Sequence, residues 1–221
     1  MCGWSGRRFG SSSPVAARRI KKDGARQREE RPDVKAARQR WREQQPELDP
    51  KNLIFIDESG LSTKMARLRG WAPKGQRCRA AIPHGHWKTV TFVGGLTLAG
   101  FIAPMLLDGP IDGESFRAWC EQMLGPLLRP GHIVIMDNLA AHKVAGVRQA
   151  IEACGATLLY LPPYSPDFNP IENAFAKLKA HVRKLAARTI DALQTAAAQA
   201  LLTFKPIECA NFFAHLRYGC D

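Results

Sequence analysis

Two short apolar runs, "NLIFIDES" (52–59) and "HIVIMDN" (132–138), constrain the fold more than any other feature of the chain. Each joins several apolar residues, rich in β-formers, without the alternation of a strand that has one wet face. Such strands belong inside a sheet covered on both sides. A third run, "ATLLYLPP" (156–163), follows a helical segment and stops at prolines. "WKTVTFVGGLTLAGFIAPMLL" (87–107) reads as two strands turning at Ala99-Gly100. Helical spacing links Phe116, Trp119, Met123 and Leu127 in "GESFRAWCEQMLGPLL", and "HKVAGVRQAIEACG" predicts a helix stopped by Gly155. Further helices are expected from Pro170 to about Leu185, from Ile190 to about Phe204, and from Ile207 to Leu216. Strands in meander order, then alternating helix and strand, predict a mixed α/β sheet with helices on its faces.

Residues 1–50 differ from the rest. They hold thirteen Lys/Arg against seven Asp/Glu, half of the chain's net charge of +12. Gly and Ser dominate the first thirteen positions, and apolar periodicity starts only at Val34, with Ala37 and Trp41 on the same helical face and Pro46 ending the segment. The division expected is a basic arm and leading helix over 1–49, then one larger domain over 50–221. Such a basic protein most often has an anionic partner, nucleic acid above all, although a solvated basic surface has the same composition. No apolar run approaches the roughly 18–20 residues that span a bilayer, so no membrane is expected. Six scattered cysteines without a CxxC pair fit a reducing cytoplasm better than a zinc site or a disulfide framework.

The two central strands end in acid, Asp57 and Asp137, where α/β sheets gather their sites. A carboxylate there costs desolvation energy unless a cation compensates, and a divalent metal would. Each aspartate also suits the duller work of capping a turn. Adjacent strand residues face opposite ways, so Glu58 is not expected to line the same site as Asp57.

A third acid follows a loop of four prolines in "LPPYSPDFNPIENAFAKLK" (161–179). Prolines fix the backbone and remove donors, so this loop is stiff. Asn169 suits an N-cap, Pro170 the first helical position and Glu172 the third, where a glutamate can reach back in a capping box. Ile171, Ala174, Phe175, Leu178, Val182 and Leu185 form the apolar stripe of that helix, with Glu172, Lys179 and Arg183 along its border. A glutamate held there could face the strand-borne aspartates. Three such carboxylates suit two Mg²⁺ ions, with Mn²⁺ as the alternative, and phosphodiester chemistry on nucleic acid.

"FIDESGLSTKMARLRGWAPKGQR", "MDNLAAHK" and "LPPYSPDFNPIENAFAKLK" together resemble the catalytic domain of DDE transposases of the mariner superfamily, in its bacterial insertion-sequence branch. The resemblance covers about residues 50–205, and thirty-four residues lie between Asp137 and Glu172, as in that superfamily. It implies a ribonuclease-H-like fold, a mixed five-stranded sheet flanked by helices. It also implies Mg²⁺-dependent cleavage at element ends and strand transfer into target DNA by a homodimer. By matching position, Asp57, Asp137 and Glu172 become the catalytic metal-binding triad. His142, in "DNxxxH", sits where the family often has a histidine, and a structural hydrogen bond is its equal alternative. Lys74 and Arg77, with His142, Lys179 and Arg183, are the candidate DNA contacts, set against ordinary solvated charges. The family's helix-turn-helix domains have no counterpart in the first fifty residues. The resemblance therefore implies an upstream product of a separate or frameshifted frame, or a truncated, non-catalytic DNA-binding remnant. A stand-alone ribonuclease-H-like nuclease ranks below both.

Overall fold

The computed structural model describes residues 30–67, 69–79 and 84–219. The arm expected over the first thirty residues lies, save its last position, outside them. Five strands form one sheet: β1 (Leu53–Ser62), β2 (Thr89–Thr97), β3 (Gly100–Asp108), β4 (Ile133–Met136) and β5 (Thr157–Tyr160), in the order β3-β2-β1-β4-β5. The first three pair antiparallel, as a meander dictates, while β1–β4 and β4–β5 are parallel. The α/β class and the mixed five-stranded sheet agree with the sequence.

Both sheet faces are covered, which explains the continuous apolar runs. One face carries α1 (Pro32–Gln44), α4 (Ile171–Leu185), α5 (Ile190–Leu201) and α6 (Pro206–His215). Its core joins Trp41, Phe55, Phe92, Phe175, Leu193 and Phe213. The other carries α2 (Gly113–Trp119) and α3 (Val147–Glu152), packing Phe116, Trp119 and Ile151 on Ile54, Ile56 and Met136. Along β1 the alternation is therefore between two cores: Phe55 and Asp57 face α4, and Ile56 and Glu58 face α2. Among the described residues no helix is long and apolar enough to cross a membrane.

Four local expectations are corrected. β1 does not end at Asp57: it continues to Ser62, because β2 keeps pairing with it as far as Ser62↔Thr89. The helix at 113–128 changes register in a π-helical turn at Cys120–Leu124, which buries Cys120 and Leu124 and leaves Met123 and Leu127 exposed at 36% and 46%. The segment after His142 is a 3₁₀ turn (Ala141–Lys143) and then a break at Gly146, whose φ of +100° ends any continuous helix before α3 begins. Leu185 leaves the apolar stripe of α4 and is 44% exposed, since Ala186 turns the chain left-handed immediately after it.

α4 is the keystone of its face. Phe175 sits 1% exposed, edge-on to Phe92 at 5.9 Å between ring centroids and stacked with Phe101. Phe175→Ala should cost about 3–5 kcal/mol, read by urea denaturation, because neighbours on a rigid sheet cannot collapse into the cavity.

Candidate active site

The parting of two strands creates the site. β1 and β4 run in parallel register up to Ile56↔Met136, where β4 stops and β1 goes on beside β2. Asp57 and Asp137 are the next residues, side by side at the carboxyl end where the strands diverge. β5 ends nearby, the Leu161 N–H donating to the Met136 carbonyl at 2.8 Å, and hands over to Pro162-Pro163. The proline loop then crosses the end of the sheet and delivers Glu172 in the first turn of α4. Asp57, Asp137 and Glu172 thus line one cavity of about 550 Å³, with Lys143, Tyr164 and Asn169 also in its wall.

The three acids sit in unlike surroundings. Asp57 is 9% exposed; its Oδ1 accepts the Glu58 N–H at 2.8 Å and its Oδ2 accepts Asn169 Nδ2 at 2.9 Å. Burial pushes its carboxyl up to about 7, the Glu58 N–H opposes this, and the charges of Asp137 and Glu172 add to the rise. Asp137 is half-buried and its Oδ1 accepts the Leu139 N–H at 3.1 Å. Glu172 is exposed.

His142 takes up the structural hydrogen bond that was the equal alternative for it. It is fully buried, its Nε2 donating to Glu58 Oε1 at 2.8 Å, with Nδ1 2.7 Å from Asp137 Oδ1 but without hydrogen-bond alignment. Burial lowers its pKa, but Asp137 and Glu58 outweigh burial and push it up to about 10. The Phe116 ring lies 4.5 Å from the imidazole. Glu58 therefore does not line the cavity, as the strand geometry requires, yet it is connected to Asp137 from the opposite sheet face through His142.

Asn169 departs from its predicted role. Helix α4 starts at Ile171 with Pro170 at its cap and no side-chain cap bond, so Asn169 is not the N-cap and no capping box ties up Glu172. Asn169 is 3% exposed and given over to Asp57; its Oδ1 is buried without a partner. The "NPIE" spacing could have raised this role, but the strong N-cap preference of asparagine points the other way.

The other candidates lie elsewhere. Lys74 and Arg77 are exposed in the loop between β1 and β2, and Lys179 and Arg183 are half-exposed on later turns of α4. None of these four lines the cavity. A buried His142 between two carboxylates cannot reach a phosphate of DNA, and that expectation is withdrawn.

Residues 52–194, well over half of the chain, match the family described as DDE superfamily endonuclease. The chain belongs to that family. No curated protein matches this chain. Its fold is similar to the Mos1 strand transfer complex, with a TM-score of 0.68 at 17% identity over 96% of this chain and 63% of that one. The mariner Mos1 paired end complex with Mg gives 0.61 at 15% identity, over 96% and 65%. The catalytic domain of Mos1 mariner transposase gives 0.54 at 13% identity, over 90% of each chain. These likenesses show that the chain has the ribonuclease-H-like fold. It spans under two thirds of the length of the Mos1 chains in the complexes.

The residues fit a divalent metal by their chemistry. They offer three hard carboxylate donors, one of them a buried carboxyl that titrates near neutrality, and an orphaned amide oxygen in the same wall. The acids line the same cavity, but among the described residues no three His, Cys, Asp or Glu side chains are grouped closely enough to hold a metal ion as they stand. Asn169 holds Asp57, and Leu139 and His142 hold Asp137.

Two measurements check these electrostatics. The folded pKa of Asp57, about 7, lies above the ordinary 3.8, so its stabilisation is complete at low pH and is lost as pH rises through about 7. With chelator present, Asp57→Asn should therefore gain stability over the parent between about pH 4 and pH 7, by on the order of 4 kcal/mol at most. Asn169 can flip its amide to pair with the new side chain. Nitrogen NMR should find both ring nitrogens of His142 protonated at pH 7, with the proton lost only toward pH 10.

Proposed function

We propose that this endonuclease is the catalytic domain of a DNA transposase of the mariner superfamily, in its bacterial insertion-sequence branch. It cleaves DNA strands at the ends of a mobile element and transfers them into target DNA. Asp57, Asp137 and Glu172 are its catalytic carboxylates and would hold two Mg²⁺ ions, with Mn²⁺ as the alternative. Bound there, the ions supply activation of an attacking oxygen and charge stabilisation of the leaving one. The observation that carries this reading is the convergence of three acids from β1, the end of β4 and the first turn of α4 on one cavity.

The chain's own residues prepare the chemistry. Asn169 fixes the direction of the Asp57 carboxyl by its 2.9 Å bond. His142, cationic and anchored on Glu58, places its Nδ1 2.7 Å from Asp137 Oδ1 and so steadies that carboxylate beside the cavity. Lys143 brings a positive side chain to the same wall, suited to a backbone phosphate. The prolines from 162 to 170 stiffen the segment that carries the Glu172 end of the site, which includes a 3₁₀ turn at Pro166–Phe168. A net charge of +12 favours DNA as the partner. Recognition of the terminal repeats then belongs to an upstream helix-turn-helix product, and pairing of two ends to a homodimer.

The test is cleavage of DNA carrying the element's own ends, in Mg²⁺, with and without the upstream product. Asp57→Asn, Asp137→Asn and Glu172→Gln should each reduce cleavage to the protein-free background while keeping the far-ultraviolet circular dichroism of the parent. Parental cleavage by any one of the three sinks the assignment.

A further inference from the structure

The loop that carries Asn169 and Glu172 is held from outside the sheet. Arg38, on α1, spans it with one guanidinium: Nη1 donates to Ser165 Oγ at 2.8 Å, to Asp167 Oδ1 at 2.8 Å and to the Tyr164 carbonyl at 3.3 Å. Nη2 donates to Asp167 Oδ2 at 2.6 Å, completing a two-pronged pair. The Arg38 side chain is only 11% exposed, and its guanidinium lies 4.8 Å from the centre of the Phe168 ring. Two further residues of this segment meet the loop's supports. Trp41 Nε1 donates to Tyr218 Oη at 3.1 Å, and that hydroxyl donates to the Phe168 carbonyl at 2.8 Å. Gln45, just after α1, donates to the Leu216 carbonyl.

The loop needs such support. Tyr164 has a φ of +55°, a conformation that costs a non-glycine residue about 1 kcal/mol or more and persists only where surroundings impose it. Its carbonyl is one of those Arg38 binds. Four residues beyond Ser165, Asn169 bonds Asp57, and three further on is Glu172. Arg38, Trp41 and Tyr218 all lie outside the 52–194 segment that matches the family.

We infer that α1 is a working part of the active site, with Arg38 a positioning residue that, through Ser165, Asp167 and Phe168, holds Asn169 and Glu172 in register with Asp57 for the metal. This rests on the metal-binding reading above. Salt bridges on a surface are weak individually, but this one is two-pronged, shielded on its arginine side and joined to two further bonds. Its effect falls on placement of the loop more than on global stability.

The experiment is a Mg²⁺ titration followed by thermal unfolding of the full chain, with DNA cleavage measured at each Mg²⁺ concentration. Arg38→Ala and Asp167→Asn, which removes the partner's charge from an exposed position, should each raise the half-saturating Mg²⁺ by about tenfold. Cleavage should recover toward the parental rate at saturating Mg²⁺. Lys177→Ala is the control: Lys177 ties α4 to the Thr203 carbonyl at 2.8 Å and to Glu208, away from the loop. It should lower the unfolding temperature without moving the Mg²⁺ midpoint. If Glu172→Gln abolishes the Mg²⁺ response while Asp167→Asn keeps the parental midpoint, the brace is refuted and the metal site stands. If Arg38→Ala and Lys177→Ala move the midpoint equally, Arg38 is structural only and the inference fails. If Glu172→Gln responds to Mg²⁺ like the parent, the metal reading fails and the inference with it.

Discussion

A carboxyl group kept inside an apolar sheet is the constraint around which this protein is arranged. Asp57 lies in the middle of β1, one residue past the last pairing of β1 with β4, and burial drives its pKa to about 7. Such a group must be met by donors or by a cation. One donor comes from its own backbone neighbour and the other from Asn169, 112 residues away. To bring Asn169 there, the chain leaves β5 through two prolines, crosses the sheet end and enters α4, which also sets Glu172 in the same wall. The helix is fixed in turn by Phe175 and its ring contacts on the sheet. Core packing on one face and carboxylate placement at the sheet's end are thus one structural problem.

The opposite face solves a second charge problem. Glu58 points away from Asp57 because strand residues alternate, into a layer of Phe116, Trp119 and Met136. His142 neutralises it there and reaches Asp137 with its other nitrogen. Two acids adjacent in sequence therefore contribute in different ways, Asp57 directly to the cavity and Glu58 through a buried cation. An unpaired charge at either place would be costly, and each is paired by a residue far away in the chain.

The sequence made the strands legible because β1 and β4 lie inside the sheet and carry apolar runs, and β5, at the edge and partly buried, keeps most of one. Helix α4 was legible from its stripe, and Asp57, Asp137 and Glu172 were legible as acids at interruptions of apolar pattern. Misreadings came where local chemistry had two outlets. Asparagine before proline reads as an N-cap, yet Asn169 bonds a buried carboxyl because desolvation makes that bond worth more than a solvated cap. The helix at 113–128 kept its spacing in sequence, but the π-helical turn at Cys120–Leu124 rotated Met123 out of the core. For His142 a DNA contact and a structural hydrogen bond stood level, because nothing near it in sequence reveals Glu58.

By itself, then, the sequence determined most element types, the burial of two strands and the three acids, since these follow from hydrophobic period and local backbone chemistry. Only the tertiary structure decided which groups meet: Asn169 with Asp57, His142 between Glu58 and Asp137, Arg38 across the proline loop. Those pairings join residues from 5 to 129 positions apart, and the first two answer burials that exist only after the layers have packed. Desolvation is a property of the assembled fold, and no short stretch of chain encodes it.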